Sequence, residues 1–372
     1  MKRLLLVGGG HAHLGVLKRL AARPLAGWSV MLVSSSSRQI YSGMLPGWVA
    51  GRYTIDQCSI SLTDLAARAG IAFHAASIAS LDRVKGKVSS ADGRSFDFDL
   101  LSLDVGSEPA LAHIPGATEH ALPVRPIEAF VAAWPGLVEG WRPLASAVDV
   151  AIVGSGAAAV ELAFAVRQRA MTAGVGGLRV TLVGRDPRPL DGFAPAAVER
   201  VVRALRQAGI AWRGDSEVKQ VAPGELLLAD GGSLRFDACL LATGAAAPRW
   251  PAEAGLETDE HGFIRVDRTL RSLSDVRVFA AGDIAALPSP RPKSGVFAVR
   301  AAPVLAHNLA AAAGRGAASP WQPQQHALYL LSTADGRAIA AWRSWSATGH
   351  WVWRWKDAID RRFVQSFRAP AG

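Results

Sequence analysis

The chain has 372 residues, half of them hydrophobic, and a formal net charge of +10 at pH 7. That length suits two or three domains, and the charge either favours anionic partners (phosphates, acidic proteins or anionic lipid) or reflects a generally Arg-rich proteome. No block of like charge and no nucleic-acid motif accompanies it, so nucleic acid is not expected as a partner. The two cysteines, Cys58 and Cys239, stand far apart with no CxxC, which excludes a disulfide framework and fits a reducing, cytoplasmic compartment.

In chain order, Leu4 to Val7 predicts a short buried strand, Gly8-Gly9-Gly10 a turn, and His13 to Leu20 a helix. The basic start imitates a signal peptide, but its apolar run stops at Gly8, too soon for one. Val30 to Val33 completes a β-α-β unit, which calls for a parallel sheet. Leu62 to Ala69 reads as a helix and Ile71 to Ala75 as a strand. Asp92-Gly93 turns a hairpin between Lys87-Val88 and a strand over Phe96 to Leu103.

The pattern then restarts. Val148 to Val153 is a strand, Gly154-Ser155-Gly156 a turn, Val160 to Arg169 a helix and Val180 to Val183 a strand. Ala196 to Ala208 is a helix stopped by Gly209, and Asp230-Gly231-Gly232 leads into a strand over Phe236 to Leu241. The two halves therefore duplicate one architecture. A later strand, Val276 to Ala280, ends in Gly282-Asp283 without a glycine turn of its own and is expected to return to the first sheet. Gly295 opens a helix through Leu305. From Trp321 the composition shifts to Trp and Arg, and Trp351, Trp355, Ile359, Phe363 and Phe367 mark one face of a helix. No uninterrupted apolar run is long enough to span a bilayer. The fold class is α/β, with two Rossmann-like dinucleotide-binding domains, one inserted in the other, and a short Trp-rich C-terminal segment.

Gly8 and Gly10 after a strand and before a helix form a phosphate-binding turn: the first glycine makes the bend, the second lets backbone approach a pyrophosphate, and the helix end supplies positive dipole. His11 and Ala12 follow directly. His13 stands where a third glycine is usual, and Ser34 where an acid usually holds the adenosine ribose. The second turn, Gly154 and Gly156 with Ala157 next and Ala159 in the third small position, is the cleaner copy. Gly184-Arg185 follows its second strand instead of an acid, so Arg185 is either a partner for a 2′-phosphate or a solvated surface group.

Two such turns in one chain, with Leu241-Ala242-Thr243-Gly244, Leu103-Asp104-Val105-Gly106-Ser107 and Val278-Phe279-Ala280-Ala281-Gly282-Asp283, resemble the group of type II NADH dehydrogenases, sulfide:quinone oxidoreductases and pyridine nucleotide-disulfide reductases. The resemblance spans residues 1 to 312. A narrower likeness, carried by Gly8 to His13, Tyr41 to Gly47, Lys293 to Arg300 and Trp353 to Asp357, is to the flavoprotein half that some bacteria fuse to selenide, water dikinase.

The resemblance implies FAD in a domain built from 1–120 and 250–312, NAD(P)H in 121–249, and a C-terminal segment at 313–372. It implies that Asp283 meets the ribityl chain and that Gly106, Gly244 and Gly282 line the cofactors. Gly295, Val296 and Phe297 open a helix whose N-terminus can face reduced flavin, and Tyr41, Ser42, Gly43 and Met44 form a loop suited to a flat ring. Glu161 is either near the nicotinamide or a solvated carboxylate, and Lys293 either neutralises flavin or substrate charge or is exposed. No metal is expected. The leading expectation is an FAD-dependent NAD(P)H oxidoreductase passing electrons to a quinone or other small acceptor without a redox disulfide. The rivals are an electron-supply protein in selenium metabolism and a flavin-binding scaffold with a degenerate NAD(P) site. The tail helix is expected either on an anionic membrane surface, peripheral to the inner face of the cell membrane, or packed on the core or a second copy.

Overall fold

The computed structural model describes residues 1–110, 114–141, 147–175 and 177–368. Runs of Leu and Val with no polar interruption become strands buried on both faces, as a parallel sheet covered by helices requires. The first unit opens with β1 (Lys2–Val7), α1 (His11–Ala22), β2 (Trp28–Ser34), α2 (Leu62–Arg68), β3 (Ala72–Ala75) and β4 (Leu100–Leu103). The second repeats the plan with β5 (Asp149–Val153), α3 (Ala157–Ala173), β6 (Arg179–Val183), α4 (Pro195–Gln207), β7 (Ile210–Arg213) and β8 (Ala238–Leu241).

The chain then returns to the first unit through β9 (Val278–Ala280), so the first sheet runs β9-β4-β1-β2-β3. In the second sheet the short strand Leu122–Pro123 takes the place that β9 holds in the first, giving Leu122–Pro123, then β8-β5-β6-β7. The second unit is thus inserted in the first, a mixed α/β fold with two dinucleotide-binding domains.

Two predicted strands divide. The expected run Phe96 to Leu103 splits into Ser95–Asp97, in an antiparallel meander with Lys87–Ser90, and β4, in the parallel sheet. The expected run Phe236 to Leu241 begins only at Ala238, because Ser233–Arg235 belongs to a second meander. The break falls where Asp99 and Asp237 turn to bond the backbone N–H groups of Arg3 and Asp149. β9 starts at Val278, two residues late, since Val276 is exposed between Asp275 and Arg277, which pair with each other.

The helix α5 (Gly295–Ala312) runs seven residues further than predicted and packs on α1 so closely that a Cβ on Gly15 would lie 2.5 Å from Ala302 Cβ. It is long and apolar enough to cross a membrane, but it is a core helix here, with Leu305 and Leu309 buried.

The tail holds more than a helix. Strands β10 (Tyr329–Ser332), β11 (Ala338–Trp342) and β12 (Trp345–Gly349) form an antiparallel sheet, followed by α6 (His350–Gln365). Leu331 and Ile339 of this sheet join the core of the second unit, while Val364 and Phe367 join that of the first. The predicted apolar face of α6 accordingly divides: Phe367 is buried, whereas Trp351, Trp355 and Ile359 stay exposed.

Candidate functional site

The first turn is built around close backbone approach. Gly8 has φ +93°, and a Cβ there would lie 2.3 Å from the carbonyl oxygen of Asp104. Gly9 is pressed against Leu62 and the hydroxyl of Ser34, which places Ser34 beside the turn. His13 is fully buried. Its Nδ1–H donates to the Gly8 carbonyl at 2.6 Å, and its Nε2 faces Ser102 Oγ at 2.8 Å. Both ring nitrogens are therefore taken up beneath the turn, and burial holds His13 down at about 4, so the ring is neutral and braces the turn. Neither nitrogen is left for a phosphate.

His11, the first residue of α1, is different. It lies edge-on to Tyr41 at 5.6 Å and against Phe363 at 6.0 Å, and its buried Nε2 has no hydrogen-bond partner. A Cβ on Gly295 would meet the His11 ring and Ser42 Oγ, each at 3.7 Å. The N-termini of α1 and α5 and the Tyr41–Met44 loop thus converge on one place, with Met44 buried and Gly43 pressed against the Tyr41 ring. α5 begins without a side-chain cap, so the first N–H groups of Val296 and Phe297 are not engaged by Ser294's hydroxyl. Nearby, Asp283 accepts from Arg125 Nη1 at 3.1 Å and from Ser107, which follows Gly106. Gly282 and Asp283 also border a cavity of about 330 Å³ that includes Lys293, Phe263, Phe297 and Trp321. Lys293 donates to the Ala285 carbonyl at 2.7 Å and sits over the Phe263 ring; burial lowers it to about 8, with Asp283 opposing.

The second turn has the same design with a different floor. A Cβ on Gly154 would meet the Ala242 carbonyl oxygen at 2.4 Å and Ala159 at 3.1 Å. Gly156 precedes α3 and Ala157 opens it, with open space at Gly156; Gly244 is open too. Gly184 lies against Trp212, whose ring would be 2.5 Å from any Cβ, so the usual acid is sterically excluded there. Arg185 is exposed, but Asp186 accepts from Ser155 Oγ at 2.5 Å. That puts a carboxylate against the turn, where the sequence had offered none.

A family model described as pyridine nucleotide-disulphide oxidoreductase matches residues 2–302. The chain belongs to that family. An NADH dehydrogenase-like protein of Mycobacterium tuberculosis is 28% identical over 298 residues, covering 77% of this chain and 73% of that one. The type II NADH:quinone oxidoreductase of Haemophilus influenzae is 30% identical over 149 residues, covering 38% and 34%. The NDH2 structure of Plasmodium falciparum in complex with NADH aligns with TM-score 0.84 over 98% of this chain and 97% of that one at 12% identity, a likeness of fold.

This oxidoreductase is an FAD-dependent NAD(P)H enzyme, and its residues fit both cofactors. The orphaned His11 nitrogen, the uncapped α5 terminus and the glycine approaches suit FAD, while the open Gly156 end of α3 suits a second dinucleotide.

Glu161 lies where the two units meet the tail. It is not a solvated carboxylate: it accepts the Ser332 N–H at 2.8 Å and lies 3.9 Å from Lys356 Nζ, and burial raises its pKa. Lys356 also donates to the Gly43 carbonyl at 2.8 Å and to Asp360 at 2.9 Å. One ammonium therefore ties α3, the Tyr41–Met44 loop and α6 together. Sequence reasoning missed Asp104, Arg125, Asp186, Lys356 and Asp360 as site residues. Asp104 and Lys356 stood inside recognised motifs; Arg125 carried no signal at all.

Proposed function

We propose that this oxidoreductase takes hydride from NAD(P)H onto FAD and sends the electrons directly to a small acceptor, a quinone first, with no protein disulfide between. The observation that carries this reading is the placement of the thiols. Cys58 and Cys239 are both free and buried in separate cores, and burial pushes each up to about 12, far from a ready thiolate.

In this reading residues 1–120 and 250–312 hold FAD, 121–249 hold NAD(P)H, and 313–372 are an appended segment. Gly8, Gly10 and the N–H group of His11 receive the FAD pyrophosphate, Ser34 the ribose and Asp283 the ribityl chain, while the Ala12 N–H is turned to Asp104. The Tyr41–Met44 loop, Gly106 and the α5 end at Gly295, Val296 and Phe297 frame the flavin ring. Gly154, Gly156, Ala157 and Gly244 receive NAD(P)H. FAD, when bound, supplies the hydride acceptor. The chain aligns the rings and excludes water, with Glu161 at the seam and the Lys293 ammonium beside Asp283. Arg185 suits a 2′-phosphate and Asp186 a 2′-hydroxyl, so these two neighbours set the choice of nucleotide.

The tail favours a bilayer-dissolved acceptor. Trp342, Trp345, Trp351 and Trp355 are exposed together with Arg343 and Arg354, a mixture suited to peripheral contact with an anionic membrane. A homodimer through the same aromatic face is the competing use. Co-sedimentation with anionic vesicles at low and high salt, alongside light scattering, separates them.

The deciding experiment mixes the protein anaerobically with NADH or NADPH and then with quinones, ferric salts and selenium compounds in a stopped-flow instrument. Flavin bleaching followed by fastest reoxidation with a quinone is expected, unchanged in a Cys58→Ser/Cys239→Ser variant. Flavin that never bleaches points to a scaffold, preferential reoxidation by selenium compounds to the selenium reading, and loss of turnover in the double variant to a working thiol.

A further inference from the structure

The α1 N-terminus is already occupied by an anion-type group belonging to the chain. Asp104 is 2% exposed, and its Oδ2 accepts the backbone N–H of His13 at 2.9 Å, with the Ala12 N–H also directed at it. Two glycines from motifs far apart in sequence make room for it: a Cβ on Gly10 or on Gly282 would lie 2.3 Å from Asp104 Oδ1. A helix N-terminus carries about half a positive charge, which is what draws a pyrophosphate to such a turn. A carboxylate and a pyrophosphate at the same end would repel at short range in a water-poor site.

We propose that Asp104 is a protonated acid in the FAD-bound enzyme, a positioning group whose carboxyl proton is shared with the FAD pyrophosphate, so that the protein takes up a proton when FAD binds. This rests on FAD occupying the first turn. The surroundings support a neutral carboxyl. Burial raises Asp104 to about 7, helped by Asp283, while the two N–H groups pull the other way. The other charged or titratable groups facing this region are His13 and His11 on α1, both held at about 4 and so neutral, Asp283 with its Arg125 partner, and Lys293 at about 8.

The sign follows from linkage. An added anion raises the Asp104 pKa further, so FAD affinity is constant below about pH 7 and falls roughly tenfold per pH unit above it, until the raised pKa of the complex is reached. Lys293 titrates in the same window, and a variant distinguishes the two. FAD affinity of the apoprotein, read by quenching of FAD fluorescence from pH 6 to 9, should fall with pH in the native chain and stay flat in Asp104→Asn, whose amide still donates. An unchanged slope in Asp104→Asn, or no slope in the native protein, overturns the proposal. Should Asp104→Asn fail to fold, titration calorimetry of the native apoprotein with FAD at pH 8, in buffers of different ionisation enthalpy, decides instead. Close to one proton taken up supports the proposal, and none refutes it. Absence of FAD uptake at every pH refutes FAD occupancy of the first turn itself, and the proposal with it.

Discussion

The two glycine turns have the same backbone plan and opposite contents. At the first, Leu103 is followed by Asp104, whose side chain fills the space above Gly10; at the second, Leu241 is followed by Ala242, and nothing lies within 4 Å of a Cβ on Gly156. The first is braced by a buried histidine, the second by a small alanine at the third position. One motif can thus carry a carboxyl of the chain itself in one unit and be an open helix end in the other. Which it is depends on one residue at the end of the neighbouring strand, over ninety residues away in the first half.

The comparison holds only if both turns belong to one rigid arrangement, and the seam at Lys356 tests this with the largest expected effect. Lys356→Met leaves Glu161 and Asp360 largely buried with no cation, at a cost of about 3 kcal/mol. Urea titration should show the loss, and adding Glu161→Gln should restore part of it. A variant as stable as the native chain would mean that the units are not held together there.

Next comes the contrast between the turns. Gly10→Ala drives a Cβ into the Asp104 carboxyl and should cost about 2 kcal/mol and release flavin, whereas Gly156→Ala should melt like the native protein and lose only affinity for NAD(P)H. Combining Gly10→Ala with Asp104→Ala should recover the melting temperature. Equal destabilisation by the two glycine variants would break the comparison. The smallest effect on stability belongs to exposed Arg185. Arg185→Ala should change stability by less than about 0.5 kcal/mol yet raise KM for NADPH more than for NADH, a shift that steady-state kinetics with the two nucleotides reads directly.

Much of this was legible because it is periodic or punctuated. Apolar runs such as Leu4 to Val7 and glycines such as Gly209 act through neighbours in the chain, so they predict elements within a few residues. The split of Phe96 to Leu103 was hidden because Asp99 leaves the strand to bond Arg3, a partner distant in sequence. The tail sheet was hidden for a related reason: Ala338 to Ala341 are three alanines around one Ile339, a weak pattern that becomes a strand through packing with the second unit and α6. Within the site, the glycines announced themselves. Asp104 and Lys356 stand inside motifs, but their meaning lies in what folds against them: Gly282 for one, Glu161 and Gly43 for the other.

The Lys356 tie also bears on the order in which the protein is made. Both β-α-β units leave the ribosome before Lys356 and Ser332 exist, so a nascent chain carries Glu161 at a docking surface with neither its N–H donor nor its cation. Until α6 arrives, that carboxyl must stay hydrated, which keeps the seam open to water and to anything that inspects unfinished proteins. Closing it is the last step in building this site, and a chain cut short before α6 would betray itself by a wet, negatively charged seam as well as by a first-unit core lacking Val364 and Phe367.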